Sequence, residues 1–115
     1  LSAQGLKKDR IILDPGIGFG KGLKDSLTII NNMHCFAHLS ALTMIGVSRK
    51  SFLGHLLAIS DPMLRDGASL GATAAAIATG ANIVRTHNVK ATYDMVRAFN
   101  ACRSAKRRDH YEDLH

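Results

Sequence analysis

Arg10-Ile11-Ile12-Leu13-Asp14-Pro15-Gly16-Ile17-Gly18-Phe19-Gly20-Lys21 decides how the rest of the chain is read. It begins as a short apolar run, the pattern of a parallel strand buried on both faces. It then breaks into a carboxylate, a proline and glycines, so a strand runs into a tight loop. Two later stretches repeat the arrangement. Residues 42–47 lead into Ser48-Arg49-Lys50-Ser51, and residues 82–85 lead into Thr86-His87-Asn88. The starts of the three runs lie about 32 and 40 residues apart, near the size of a strand–helix unit.

Helical patterns fill the intervals. Leu27, Ile30, Asn31, His34 and His38 fall at helical spacing behind Lys24 and Asp25. Phe52, Leu53, Leu56 and Leu57 predict a short helix. A longer one spans about residues 64–79, with Asp66 as its cap and Gly80 as its stop. Ala91, Met95, Val96, Phe99 and Cys102 predict an amphipathic helix at the end. Strand and helix in alternation give an α/β fold, parallel strands covered by helices. Three such units cannot close an eightfold barrel, which takes about 250 residues. The expectation is a small open sheet or the last three βα units of a (β/α)8 TIM barrel. Residues 1–102 would form that part, and residues 103–115 a charged tail.

Composition narrows the function classes. The chain has 115 residues, 46% hydrophobic and 21% charged, which excludes disordered, collagenous and disulfide-scaffold proteins. No run approaches the roughly 18 apolar residues of a membrane span, and no secretory signal is visible. The net charge of +6 suits anionic ligands. Nucleic acid is the weaker partner: no basic run carries interleaved aromatics, and Arg103, Lys106, Arg107 and Arg108 meet Asp109, Glu112 and Asp113 at once. Cys35 and Cys102 stand far apart with no CxxC, as buried or half-buried reduced thiols of a cytosolic protein would.

All three strand ends carry titratable groups, on the side where α/β folds place ligands. The glycine loop is neither of the common nucleotide motifs. Gly16 and Gly20 enclose three residues rather than four, and Lys21 stands where a dinucleotide fingerprint needs glycine. Its glycines either release the backbone for a tight turn or touch a ligand. Phe19 is either a core plug or a pocket wall. Asp14 is either a loop cap or a double acceptor for a planar N–H pair, such as a 2-amino-pyrimidinone edge. Arg85 and His87, two apart on a strand end, share a face and form either an anion clamp or salt-bridge partners of a helix. Ser48 and Lys50 share the same spacing, and Lys50 has an ammonium for a carbonyl or ring nitrogen. Arg49 and Ser51 point elsewhere, to the rim or the following helix. His34 and His38, four apart, lack a third metal ligand and read as a solvated face.

These segments closely resemble the last three signature stretches of the dihydropteroate synthase family, in order and spacing. They are Asp14 to Lys21, Gly46-Val47-Ser48-Arg49-Lys50-Ser51-Phe52-Leu53-Gly54, and Arg85-Thr86-His87-Asn88-Val89. The resemblance covers about residues 10–100 and implies a (β/α)8 barrel. It also implies an enzyme that joins 7,8-dihydropterin pyrophosphate to p-aminobenzoate in folate synthesis. By the same resemblance Asp14 holds the pterin edge, Lys50 bonds the pterin ring, and Arg85 and His87 bind pyrophosphate. Gly18, Phe19, Arg49 and Ser51 fall around the substrate sites, the last three at the p-aminobenzoate pocket that sulfonamides share. Lys50, Arg85 and His87 are the expected catalytic residues. Mg²⁺ accompanies the pyrophosphate in the family, with ligands expected from strands not represented here. A homodimer and a cytoplasmic location are implied as well.

The chain departs from the family in two ways. The third stretch usually reads Arg-Val-His-Asp-Val, and here Thr86 and Asn88 replace Val and Asp. The motifs of the family's first strands are absent from this sequence. The chain therefore reads as the C-terminal part of such an enzyme, with open strand edges, an uncovered face and little or no synthase activity alone. The alternatives are a non-catalytic pterin- or phosphate-binding half-barrel and a fragment of a pterin-dependent methyltransferase, the latter disfavoured by residues 48–51.

Overall fold

The computed structural model describes residues 8–17 and 22–105. Three strands, β1 (Ile12–Leu13), β2 (Leu42–Ile45) and β3 (Ile83–Val84), form one parallel sheet in the order β1-β2-β3. Ile12 is in register with Leu42, and Met44 with Ile83. Helices α1 (Leu23–Ile30), α2 (Ser51–Leu57), α3 (Asp66–Thr79) and α4 (Val89–Ser104) alternate with the strands. Helix α4 continues two residues past the expected tail boundary, and Arg103 donates to the Ile77 carbonyl at 3.3 Å.

Side chains alternate across a strand, and that period sorts the sheet into two unlike faces. Thr43, Ile45 and Val47 turn towards the helices and are buried. There Ile45 and Val47 join Ile17, Ile30, Met33, Phe52, Leu53 and Ala76 in one apolar core. Ile12 and Leu42 lie on the other face and stay 54% and 40% exposed. The first strand is therefore not buried on both faces, as its apolar run predicts. Nothing among the described residues covers the side of Ile12, which matches the expected uncovered face.

The helices differ from the sequence reading at identifiable points. Helical spacing carries on through His34 and His38, yet α1 stops at Ile30 and a 3-10 turn follows at Met33–Phe36. The cause is distant in sequence. The Thr79 hydroxyl donates to the Ile30 carbonyl at 2.6 Å and accepts the Met33 N–H at 3.3 Å, satisfying two backbone groups at the helix end. Helix α3 starts at Asp66, with Pro62–Leu64 as a separate 3-10 turn before it. Asp66 is the first helical residue and not the cap. Gly80 ends α3 as expected, at φ 128°. Both cysteines are exposed free thiols rather than buried ones.

Candidate functional site

The open face of the sheet becomes polar at its C-terminal end. Asp14 stands two residues after Ile12, Gly46 two after Met44, and Arg85 two after Ile83, so the three share that face. Arg85 Nη1 donates to Asp14 Oδ2 at 2.9 Å and lies 3.6 Å from the Met44 sulfur. Gly46 makes this reach possible. A Cβ there would lie 2.6 Å from Arg85 Nη2, so only a bare backbone lets the guanidinium cross β2.

Beyond the strands lies a cleft of about 150 Å³, lined by Gly46, Ser48, Lys50, Arg85, Thr86 and His87. Lys50 Nζ donates to the Ile17 carbonyl at 2.8 Å, tying the β2 loop to the start of the glycine loop. Burial lowers the Lys50 ammonium from the ordinary lysine range, the Arg85 charge lowers it further, and Asp14 works the other way. Ser48 is buried, and its hydroxyl lies 2.9 Å from His87 Nδ1 while accepting the His87 backbone N–H at 3.2 Å. The imidazole, which lines the cleft, is thereby tied to the loop after β2.

Of the residues singled out in sequence, the fold brings Asp14, Lys50, Arg85 and His87 to one place. Arg49 and Ser51 lie apart from this cleft. Arg49 is in the left-handed region at φ 59°, and its Nε donates to Asp66 Oδ1 at 2.8 Å. Ser51 is exposed on the first turn of α2 and lines a separate hollow with His55, Ser60 and Arg65. Gly18 and Phe19 lie outside the described residues. Gly46, Ser48 and Thr86 line the cleft without having been assigned to it. Their signal is positional, because Gly46 and Ser48 keep the alternation that ends at Lys50.

The two departures in the third stretch acquire partners here. The Thr86 hydroxyl meets that of Thr92 at 2.8 Å. Asn88 caps α4, its Oδ1 accepting the Ala91 N–H at 3.1 Å while its Nδ2 donates to Asp66 Oδ2 at 3.2 Å. Hydrogen bonds from Arg49 and then Asn88 hold the Asp66 carboxyl below its usual range, against a smaller effect of burial and with His87 adding to them. Arg49, Asp66 and Asn88 thus link the loops after β2 and β3.

A cleft with an ammonium, a guanidinium and an imidazole suits a polyanion such as a diphosphate, and the adjacent carboxylate suits paired N–H donors. Among the described residues no group of three or more His, Cys, Asp or Glu side chains is placed to hold a metal ion. None of the described helices is long and apolar enough to cross a membrane.

Comparison with known proteins agrees with this geometry. The sequence profile of the family described as "Pterin binding enzyme" matches residues 1–87. Dihydropteroate synthase of Escherichia coli K12 is 38% identical over 108 residues, which cover 94% of this chain and 38% of that protein. The crystal structure of dihydropteroate synthase from Stenotrophomonas maltophilia superposes with a TM-score of 0.86 at 33% identity, over 92% of this chain and 40% of that one. The Xanthomonas albilineans enzyme, solved in complex with 7,8-dihydropteroate, gives 0.85 at 30% identity, over 91% and 40%. The chain thus spans about two-fifths of the proteins it matches, and its fold is the corresponding part of their barrel. By its matched profile and its three strand-end stretches, the chain belongs to the pterin-binding enzyme family.

Proposed function

We propose that this chain carries the pterin- and diphosphate-binding side of a dihydropteroate synthase. The observation that carries the reading is the convergence of Lys50, Arg85 and His87 on one cleft, with Asp14 reaching it through Arg85. Three strand ends supply these groups, which no local motif would do by chance. The names of the relatives support the reaction class.

In this reading an aromatic amine attacks the methylene carbon of a dihydropterin diphosphate. A C–N bond forms, the C–O bond to the diphosphate breaks, and its electron pair leaves with the diphosphate. The amine nitrogen then loses a proton. Negative charge grows on the leaving group, and His87 together with Arg85, once it has left Asp14, stabilises it by donating to the diphosphate. Lys50 donates to the pterin ring, and Asp14 accepts from its amino-pyrimidinone edge once Arg85 turns to the diphosphate. Holding both reactants in line supplies the remainder. Phe19, Arg49 and Ser51 belong to the p-aminobenzoate side, where sulfonamides would compete, and Gly18 to the substrate-binding loop. Mg²⁺ would accompany the diphosphate in this reading and neutralise part of its charge, held by residues of strands not represented here. A homodimer and a cytoplasmic location complete the proposal.

Calorimetry and turnover on the 115-residue chain test it. We expect 7,8-dihydropterin diphosphate to bind, Arg85→Ala to weaken it at least tenfold, and a pyrophosphate-release assay with p-aminobenzoate to show little or no turnover. Absence of binding at millimolar ligand defeats the reading. Robust turnover defeats the expectation that this portion is inactive alone.

A further inference from the structure

We propose that Arg65 and Ser69 are positioning residues that hold Arg49 in its left-handed conformation and so deliver Lys50 into the cleft. The inference takes its functional meaning from the reading of that cleft as a pterin site.

Arg49 is one of two non-glycine residues with positive φ among those described. A side chain in that region is disfavoured unless its surroundings over-determine it. Here every polar backbone group of Arg49 is claimed by the start of α3. Its N–H donates to Ser69 Oγ at 2.8 Å, and its carbonyl accepts from Arg65 Nη1 at 3.0 Å. The Ser69 hydroxyl is itself oriented, because it donates to the Arg65 carbonyl at 2.7 Å. Asp66 takes the Arg49 side chain away from the cleft.

Arg65 is an unusual tool for this task. It is 8% exposed, and no carboxylate among the described residues lies within 4 Å of its guanidinium. All its hydrogen bonds go to main-chain carbonyls. Besides Arg49 these are Ile59, 3.0 Å from Nε, and Ser60, 2.9 Å from Nη2. A buried charge is costly where a neutral group would serve. A rigid fork of donors that fixes three carbonyls at once is what guanidinium offers and ammonium lacks. Gly54 makes the room, since a Cβ there would lie 2.5 Å from Arg65 Nη2. The backbone conformation of Arg49 sets the direction in which the next residue leaves the turn. Lys50 follows it and reaches the Ile17 carbonyl across the cleft. With Arg49 relaxed to negative φ, Lys50 would leave towards solvent.

The experiment follows the Lys50 ammonium in the ligand-free 115-residue chain by NMR titration of ¹³C-labelled lysines, Lys50→Met assigning its signal. Ser69→Ala and Arg65→Lys are compared with Thr79→Val, which cuts hydrogen bonds at the far end of α3. We expect both brace variants to move the Lys50 midpoint up to that of the other lysines and to weaken dihydropterin diphosphate binding fivefold or more. Thr79→Val should lower the melting temperature and leave Lys50 unmoved. Should Ser69→Ala fail to fold, Arg65→Lys carries the test, because it keeps the charge and loses the fork. The proposal is overturned if folded brace variants leave Lys50 unchanged, or if Thr79→Val shifts it equally. If Lys50 moves as expected but no form of the chain binds the pterin, the brace stands and the proposed function falls.

Discussion

Arg85 and Asp14 neutralise each other across the backbone of Gly46, 2.9 Å apart, with side chains 56% and 35% exposed. The two belong to different halves of the proposed ligand, the diphosphate and the pterin ring. A pair this open is worth at most about 1 kcal/mol, so a diphosphate can draw Arg85 away and leave the carboxylate of Asp14 ready for the ring. Inorganic pyrophosphate should therefore tighten binding of a pterin that lacks the diphosphate, by up to about fivefold. Calorimetry with and without pyrophosphate measures this. Arg85→Ala should abolish the coupling, and an affinity indifferent to pyrophosphate would refute it.

Gly46→Ala separates folding from the site. The atoms that a methyl would meet are the tip of Arg85, which is flexible and partly exposed, so stability should stay within about 1 kcal/mol. The guanidinium cannot then cross β2. Pyrophosphate then has no Asp14 pair to displace, so its affinity should rise by up to about fivefold and its coupling to the pterin should vanish, with the melting temperature nearly unchanged. A large loss of stability, or a coupling that survives, would contradict the geometry.

Lys50 predicts a pH dependence. Its ammonium is lowered by burial first and by Arg85 second. The unfolded chain therefore holds this proton more tightly than the folded one, and the folded state carries a penalty at neutral pH. That penalty disappears as pH rises through the lowered value towards the ordinary lysine range. The stability difference between Lys50→Met and the parent chain should accordingly move in favour of the parent between neutral and alkaline pH. Chemical denaturation at a series of pH values reads this directly. A difference that is flat with pH would show that Lys50 is not lowered.

Asn88→Asp should be destabilising, although aspartate is an equally good helix cap. The reason is Asp66, whose Oδ2 lies 3.2 Å from Asn88 Nδ2. A second carboxylate there repels the first, and the lowered Asp66 loses one of its hydrogen-bond donors. The deficit should be full at neutral pH and fade as acid protonates the pair. Asp66→Asn combined with Asn88→Asp should restore the melting temperature. Failure of the double variant to recover would assign the loss to something other than this contact.

The fold and the cleft were legible in sequence to different depths. Three apolar runs ending in polar residues gave the parallel strands and put Asp14, Lys50, Arg85 and His87 at one end, because strand period and strand polarity are local properties. The end of α1 was not legible. Helical spacing continues through His34, and the hydroxyl that stops the helix belongs to Thr79, 49 residues after Ile30. Asp66 looked like a cap because carboxylates prefer helix starts, but Arg49, 17 residues earlier, claims it. Arg65 showed no pattern at all, since its partners are carbonyls that any sequence would supply. The exposure of Ile12 was hidden for a different reason: an apolar residue announces a preference for burial, not the presence of a cover.

The bare sheet face has a practical meaning for handling this polypeptide. Ile12 and Leu42 stand side by side in register in contact with water, and β1 and β3 pair on one side only among the described residues. Such a surface acts as a template for any extended segment it meets. Produced by itself, the chain will be sticky. Its yield as a monomer will depend on dilution, on cold and on detergents mild enough to mask two aliphatic side chains without dissolving the core behind them.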